Sequence, residues 1–177
     1  MTTLSPLAAD APRLLARPLT AEAFAPYGTV LEPGAPVLVN DGLAVRRDTC
    51  LDLPFTDPQA RLCLSVFDVE VRPAPILVRA LERHPHSAQA FLPLSPCRAL
   101  VVVAGALPDG GIDMASLAAF IAPPDAGLSY APGVWHLGLT SLDRPGRFQM
   151  ATWVGPLTDT QVRPLPRPVP VDLSGLA

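Results

Sequence analysis

The chain contains three histidines, and all of them lie in two short segments. His84 and His86 flank Pro85, and side chains two residues apart in an extended segment point to the same side. His136 ends a Pro-Gly-Val-Trp-His sequence, which has the form of a turn that directs a histidine into a barrel. Two or three imidazoles with a nearby oxygen, such as that of Glu82, suit nickel, manganese, iron or zinc. We therefore predict His84, His86 and His136 as metal ligands, with an ordinary loop role as the open alternative for each.

A second group of residues is suited to binding a small carboxylic acid. The chain has thirteen arginines and no lysine, which excludes a lysine Schiff base and leaves guanidinium groups to hold a carboxylate. Arg46 follows an Asn-Asp-Gly turn and Arg83 lies beside His84, so we expect these two arginines at the site. Asn40 is open to two roles, a hydrogen bond to the ligand or the shaping of its turn.

The elements that must position these residues are short strands joined by many turns. Twenty-three prolines and twelve glycines exclude a helix bundle, because they end helices and interrupt strands. A short helix is predicted at 20–25 with Thr20 as its N-cap. Strands are predicted at 29–31, 61–71, 76–81, 89–92, 99–104, 118–122, 134–139 and 148–154, and the 61–71 strand is expected to bury both faces. The predicted fold is all-β with minor α content, an antiparallel double-sheet or jelly-roll barrel with one or two short helices.

One barrel domain is predicted over residues 17–157, between an irregular segment at 1–16 and a proline-rich tail at 158–177. Alternating prolines predict polyproline II in that tail, as an arm along its own barrel or a partner subunit. The formal net charge of -3 argues against nucleic-acid binding. No apolar run reaches the roughly 18 residues that a membrane span needs, and no signal-peptide pattern is present. Three cysteines without CxxC spacing are expected to be reduced thiols in a cytoplasmic protein.

Four segments resemble the ureidoglycolate lyase family. They are 17–32 (RPLTAEAFAPYGTVLE), 39–46 (VNDGLAVR), 81–94 (LERHPHSAQAFLPL) and 130–136 (YAPGVWH). The resemblance implies a cupin-like β-barrel that forms a cytoplasmic homodimer. It also implies cleavage of ureidoglycolate to glyoxylate and urea in allantoin (purine) catabolism, and a possible divalent metal, since nickel is associated with some members of the family.

The resemblance assigns roles to the residues that match these segments. The predicted catalytic residues are His84, His136 and Arg83, and the predicted substrate-binding residues are Asn40, Arg46 and Gln89. Elimination of urea requires a base for the hydroxyl proton and an acid for the departing nitrogen, and an imidazole can serve as either.

Three positions depart from the family pattern, and one of them is His86, which stands where the family usually has an apolar residue. Leu137 stands where the family usually has a second histidine after the tryptophan, and Asp68 stands where an arginine is often found. Two alternatives therefore remain open. One is a metal-dependent cupin enzyme with other chemistry on a small carboxylic acid, such as an isomerase or a dioxygenase. The other is a barrel that binds a small molecule without catalysis.

Overall fold

A computed structural model of the chain describes residues 13–174, which are built mainly from strands. The strands are β1 (Leu14–Pro18), β2 (Gly28–Leu31), β3 (Val37–Val39), β4 (Ala44–Arg46), β5 (Arg61–Val69), β6 (Leu77–Arg83), β7 (Gln89–Pro93), β8 (Ala99–Ala104), β9 (Ala118–Ala122), β10 (Gly127–Tyr130), β11 (Trp135–His136), β12 (Thr140–Ser141), β13 (Gly146–Val154) and β14 (Gln161–Asp172). The helical elements are α1 (Ala21–Phe24) and two 3-10 turns, Asn40–Gly42 and Met114–Ser116.

The strands form two large sheets and one small one. The first has the order β11-β6-β14-β1-β9-β8-β12, and β11 also pairs with β8, which closes this sheet into a barrel. The second has the order β2-β10-β7-β13-β5, and β3 and β4 form a separate hairpin. These sheets confirm the predicted all-β, cupin-like barrel. The pairing is mostly antiparallel, as predicted, and β1 is an exception because it runs parallel to both β14 and β9.

The core is divided by β8, which is buried on both faces. Val101 and Val103 pack in a cluster with Phe91 of the second sheet, whereas Val102 packs with Trp135 inside the barrel. Because successive side chains of a strand point to opposite faces, this double burial explains the uninterrupted apolar sequence of β8.

Two predicted local features are confirmed. The side chain of Thr20 accepts a hydrogen bond from the amide of Ala23 at 3.2 Å and so caps α1. The turn at Asn40–Gly42 has positive φ at all three residues, 53° at Asn40, 56° at Asp41 and 84° at Gly42. Asn, Asp and Gly tolerate this conformation best, so the residue types explain the turn.

Strand β5 corrects one prediction. Its outward side chains are exposed, with Leu62 at 50%, Leu64 at 64% and Val66 at 55%. The expectation that both faces are buried is wrong, because the outer face of β5 is open to solvent in the single chain.

The two ends of the described chain are more ordered than predicted. Leu14–Pro18 is a strand, although 1–16 was expected to be irregular; residues 1–12 lie outside the described part. The predicted polyproline II tail is instead β14, which pairs with β6 and lies on its own barrel. The domain limits themselves stay a prediction. Within residues 13–174, no helix has the length and apolar character needed to span a membrane.

Candidate active site

Strand alternation separates the polar residues at the end of β6. Glu82 and His84 face an open cleft of about 380 Å³ along the inner face of the second sheet. Phe67 of β5 and Gln89 of β7 line the other side of this cleft. Arg83, between the two, points to the opposite face of β6. The sequence order Glu-Arg-His thus delivers one carboxylate and one imidazole to the cleft.

His136 joins these residues from β11. It lies opposite Glu82 in the β11–β6 pairing, and its ring centroid is 5.4 Å from that of His84. The amide of Gly133 donates a hydrogen bond to the carbonyl of His84 at 2.8 Å, which ties the turn before β11 to the end of β6. Gly133 has a φ of +79°, a conformation that glycine adopts without strain. The two histidine segments are therefore connected through their backbones.

Hydrogen bonds fix the orientation of both imidazoles. Nδ1 of His136 donates to the carbonyl of Val134, and Nδ1 of His84 donates to the carbonyl of Asp159, each at 3.0 Å. In a neutral ring this leaves Nε2 as an acceptor. Both Nε2 atoms are buried and find no hydrogen-bond partner among residues 13–174. Unsatisfied buried acceptors are costly, so these two atoms are available to a ligand.

The same atoms form a candidate metal site with Glu82. Glu82, His84 and His136 each offer one ligand atom, and these atoms lie within 4.8 Å of one another. Two imidazole nitrogens and a carboxylate oxygen suit a divalent transition metal. The backbone carbonyls that accept from the Nδ1 atoms are the usual partners of metal-binding histidines. The residues present therefore fit such an ion.

Burial controls the charge of His136. Its side chain is 1% exposed and its ring stacks on that of Tyr130 at 4.2 Å. Burial lowers the pKa of His136 from 6.5 to about 4, and the neighbouring His84 contributes to the lowering. The hydrogen bond to Val134 opposes this shift, as does Glu82, whose Oε1 is 3.7 Å from Nε2; we expect burial to outweigh both. Burial also raises the pKa of Tyr130. His136 is therefore a neutral imidazole at pH 7.

Asp159 holds the segment that carries His84, and sequence reasoning missed it. Its carboxylate accepts from the amide of His86 and from the hydroxyl of Ser87, both at 2.6 Å, while its carbonyl accepts from His84. Asp159 lies in the predicted tail, where no periodic pattern or motif marked it. Only its contacts across the fold reveal its part in positioning His84.

His86 does not join the other two imidazoles. The chain bends after His84, so the expectation that both rings point to the same side is wrong. Nδ1 of His86 lies 3.2 Å from the hydroxyl of Thr56, on the outside of the cleft. Glu82, rather than His86, therefore supplies the third ligand atom of the candidate metal site.

The four other predicted site residues divide into one inside the cleft and three outside it. Gln89 lines the cleft, and its buried Oε1 has no hydrogen-bond partner within the described chain. Arg83 is turned away: its guanidinium donates to Oε1 of Gln161 at 2.7 and 2.9 Å and lies 4.8 Å above the Trp135 ring. The expected contact of Arg83 with the site is wrong, because its place in β6 gives it the opposite face from His84.

Asn40 and Arg46 lie on the hairpin of β3 and β4, outside the cleft of their own chain. Both are exposed, and Arg46 pairs with Asp48 at 3.1 Å. The structure therefore does not bring them to His84.

The departures from the family pattern at Leu137 and Asp68 lie outside the lining of the cleft. Leu137 is buried with Trp135 inside the barrel, on the face of the chain opposite His136. Asp68 is exposed and pairs with Arg147 at 2.7 Å.

The fold and the site together define a cupin-like β-barrel with a two-histidine, one-carboxylate centre at the wall of a cleft. The profile of the ureidoglycolate lyase family matches residues 11–172. The chain therefore belongs to the ureidoglycolate lyase family.

Individual relatives agree with this assignment. The chain is 37% identical to the ureidoglycolate lyase of Rhodobacter capsulatus over 162 residues, which cover 90% of this chain and 98% of that one. It is 38% identical to a putative ureidoglycolate lyase of Agrobacterium fabrum, with 91% and 96% covered. It is 39% identical to the ureidoglycolate lyase of Mesorhizobium japonicum, with 77% and 83% covered.

Proposed function

We propose that the protein is a ureidoglycolate lyase, which cleaves ureidoglycolate to glyoxylate and urea. Family membership and the names of the relatives support this activity. The structural observation that carries the proposal is the pair of buried, unpartnered Nε2 atoms on His84 and His136 at the wall of a cleft. A neutral imidazole with a free lone pair is the group that the reaction requires.

The reaction moves one proton and breaks one carbon–nitrogen bond. Ureidoglycolate carries a hydroxyl and a ureido nitrogen on the same carbon. When a base takes the hydroxyl proton, the oxygen forms the carbonyl of glyoxylate, and the electrons of the carbon–nitrogen bond leave with urea. The proton must then reach the urea nitrogen, so a single imidazole can serve as base and acid in turn. No net proton is gained or lost by the enzyme.

His84 is the better candidate for this proton transfer. It lines the cleft, and its Nδ1 is held by the carbonyl of Asp159, so Nε2 is the acceptor. His136 lies deeper, and its pKa of about 4 makes it a weak base. We assign His136 to orientation of the site. Oε1 of Gln89 is a suitable acceptor for a ureido N–H group.

A divalent metal, with nickel as the candidate implied by the family, would be held by Glu82, His84 and His136. When bound, it would act as a Lewis acid toward the carboxylate and hydroxyl of the substrate. Nε2 of His84 cannot bind a metal and accept a proton at the same time. Metal content therefore decides between the two uses: a rate that follows bound nickel assigns His84 to the metal, and a rate unaffected by chelation assigns it to proton transfer.

The finer features of the proposal come from the family resemblance. We place the reaction in allantoin degradation, in the cytoplasm, and we propose that the active form is a homodimer. Asn40 and Arg46 remain predicted substrate-binding residues, although their hairpin lies outside the cleft of the same chain.

The test uses purified protein and racemic ureidoglycolate. Glyoxylate and urea should appear in equal amounts and faster than in spontaneous decay. His84→Ala should reduce the rate by a factor of at least 100, which is typical for loss of a general acid–base group, whereas His86→Gln should retain it. Full activity of His84→Ala would refute the site. Absence of turnover, together with stoichiometric iron or manganese, would favour a metal-dependent cupin enzyme with other chemistry.

A further inference from the structure

A second cavity lies at one end of the barrel, apart from the cleft. Its volume is about 240 Å³, many times what a single water molecule needs, and it shares no residue with the cleft. Most of its lining is apolar: Leu14, Met114, Leu117, Pro168, Val169 and Pro170. The two prolines add carbon surface without an amide N–H. We call this cavity the barrel-end pocket.

The barrel-end pocket is the open end of the barrel core. Leu14, Leu117 and Val169 belong to both, because they line the pocket and pack partly buried against the core. The other end is closed by the buried ring of Trp135, which lies 5.6 Å beneath the guanidinium of Arg163. Arg163 is near the start of β14 and Val169 is nearer its end, so the two lie toward opposite ends of the barrel. Barrel mouths are a common place for small-molecule sites.

An irregularity in β14 shapes one wall of the pocket. The register of β14 against β6 shifts, so that residues 165–168 lie opposite Arg79 alone. Within this bulge, Leu165 is 7% exposed and anchors the segment in the barrel core. Arg167 is exposed and lines the pocket. Bulges at barrel rims redirect side chains in this way, so the shift explains how an arginine reaches an apolar cavity.

Two guanidinium groups give the pocket a positive charge. Arg13 and Arg167 both line it, and among the described residues neither forms an ion pair and no acidic residue is part of the lining. Asp172 is the acidic group that feels Arg13. Its carboxylate already accepts from the amide of Ser174 at 2.9 Å. Hydrogen bonds from Ser174 are the main cause of its lowered pKa, and the charge of Arg13 contributes less. Both guanidinium groups are therefore available to an anion.

This combination selects one class of ligand. A purely apolar molecule would use the wall and leave the guanidinium groups to water, whereas a small inorganic anion would use the charges and leave the wall exposed. A molecule with a hydrocarbon chain and a single carboxylate satisfies both, because guanidinium groups hold carboxylates with two donors in a fixed geometry. A chain of about eight carbons is of a size suited to such a cavity.

We propose that the barrel-end pocket binds an amphipathic monocarboxylate. The hydrocarbon chain lies against Leu14, Leu117 and Val169, and the carboxylate is held at the rim by Arg13 and Arg167. The proposal is independent of the proposed function, because no residue of the cleft takes part in it.

The first experiment locates the ligand with methionine methyl groups labelled with carbon-13. Met114 lines the barrel-end pocket and Met150 lines the cleft, so each cavity carries its own NMR signal. Octanoate should shift the Met114 signal saturably, with a Kd on the order of 0.1–1 mM, and leave the Met150 signal in place. His84→Ala should bind octanoate equally well. A shift of Met150 alone, or no saturable shift of Met114 at about 10 mM octanoate, would overturn the proposal.

The second experiment separates the roles of charge and chain. Octanamide has the chain without the charge and acetate has the charge without the chain, so each should bind at least about tenfold more weakly than octanoate. Arg167→Gln and Arg13→Gln should each raise the Kd for octanoate by about tenfold. Arg61→Gln is the matched control, because Arg61 is exposed on the second sheet, and it should bind as the wild type does. Circular dichroism checks that each variant is folded.

Three results of these titrations would contradict the proposal. Equal affinity for octanamide and octanoate would mean that the arginines do not recognise the ligand. Equal weakening by Arg61→Gln would mean that only the net charge of the protein matters. Binding of octanoate to a variant without residues 1–12, but not to the full chain, would assign the pocket to that segment rather than to a small acid.

Discussion

Neutral, buried His136 should make the stability of the protein fall steeply between pH 7 and pH 4. The unfolded chain protonates this imidazole with a pKa near 6.5, but the folded chain does so only near 4, because burial disfavours the charged ring. The folded state is therefore favoured fully above pH 6.5, and this advantage is lost as the pH falls toward 4. Since one pKa unit is worth about 1.4 kcal/mol, the difference corresponds to roughly 3 kcal/mol, of which about 2 kcal/mol should be lost by pH 5.

The assay compares the free energy of unfolding of metal-free wild-type protein with that of His136→Gln. Urea titrations at pH 7, 6, 5 and 4 give each curve, and their difference removes the contribution of other groups that titrate in both proteins. The wild-type curve should fall more steeply by about 3 kcal/mol in total. NMR provides a direct check, because the chain has three histidines whose ring signals single substitutions can assign. Parallel unfolding curves, or a His136 signal that titrates near pH 6.5, would refute the argument from burial.

Three further predictions concern the core, the helix cap and the metal site. Phe120→Ala should lower the free energy of unfolding by about 3–5 kcal/mol in urea titration, because the ring is 0% exposed; a loss below 1 kcal/mol would contradict its place in the core. Thr20→Ala should cost about 1 kcal/mol in the same assay and Thr20→Ser should cost less, since serine restores the cap. Nickel at about one hundred times its Kd should stabilise the protein by about 2.7 kcal/mol in thermal unfolding; His84→Ala should abolish this gain and His86→Ala should retain it.

Much of the fold is predictable because local patterns and tertiary packing agree. The apolar run of β8 predicts a strand buried on both faces, and the structure has it at the centre of both cores. Thr20 and the turn at Asn40–Gly42 act through their own backbone, so their residue types suffice to predict them. Strand β5 has an equally apolar pattern, but its outer face is exposed in the single chain. A sequence pattern shows that a face is apolar and does not show what covers it.

The site was predictable only in part, because it depends on where each strand ends. The predicted strand at 76–81 stops before Glu82, whereas β6 continues to Arg83. Had the strand been predicted to continue to Arg83, alternation would have placed Glu82 and His84 on the same face and Arg83 on the opposite one. The bend after His84 separates the His84 ring from the His86 ring. Pro85 between them favours an extended conformation and so did not predict this bend. Such boundaries depend on partners distant in sequence, here β11 and β14.

Alternation also explains why the change at Leu137 is compatible with an intact site. Trp135 and Leu137 face the interior of the barrel and His136 faces the cleft, so a histidine at 137 would lie among apolar side chains rather than beside His84. The register of β11 is more important to the site than the number of histidines in the segment. A slip of one residue would turn His136 into the barrel and turn its two apolar neighbours toward the cleft. Such a slip is opposed by the β11–β6 pairing and by the bond from the amide of Gly133 to the carbonyl of His84. Because Asp159 leads directly into β14, the proline-rich C-terminal strand is part of the structure that holds the imidazole of His84 in place.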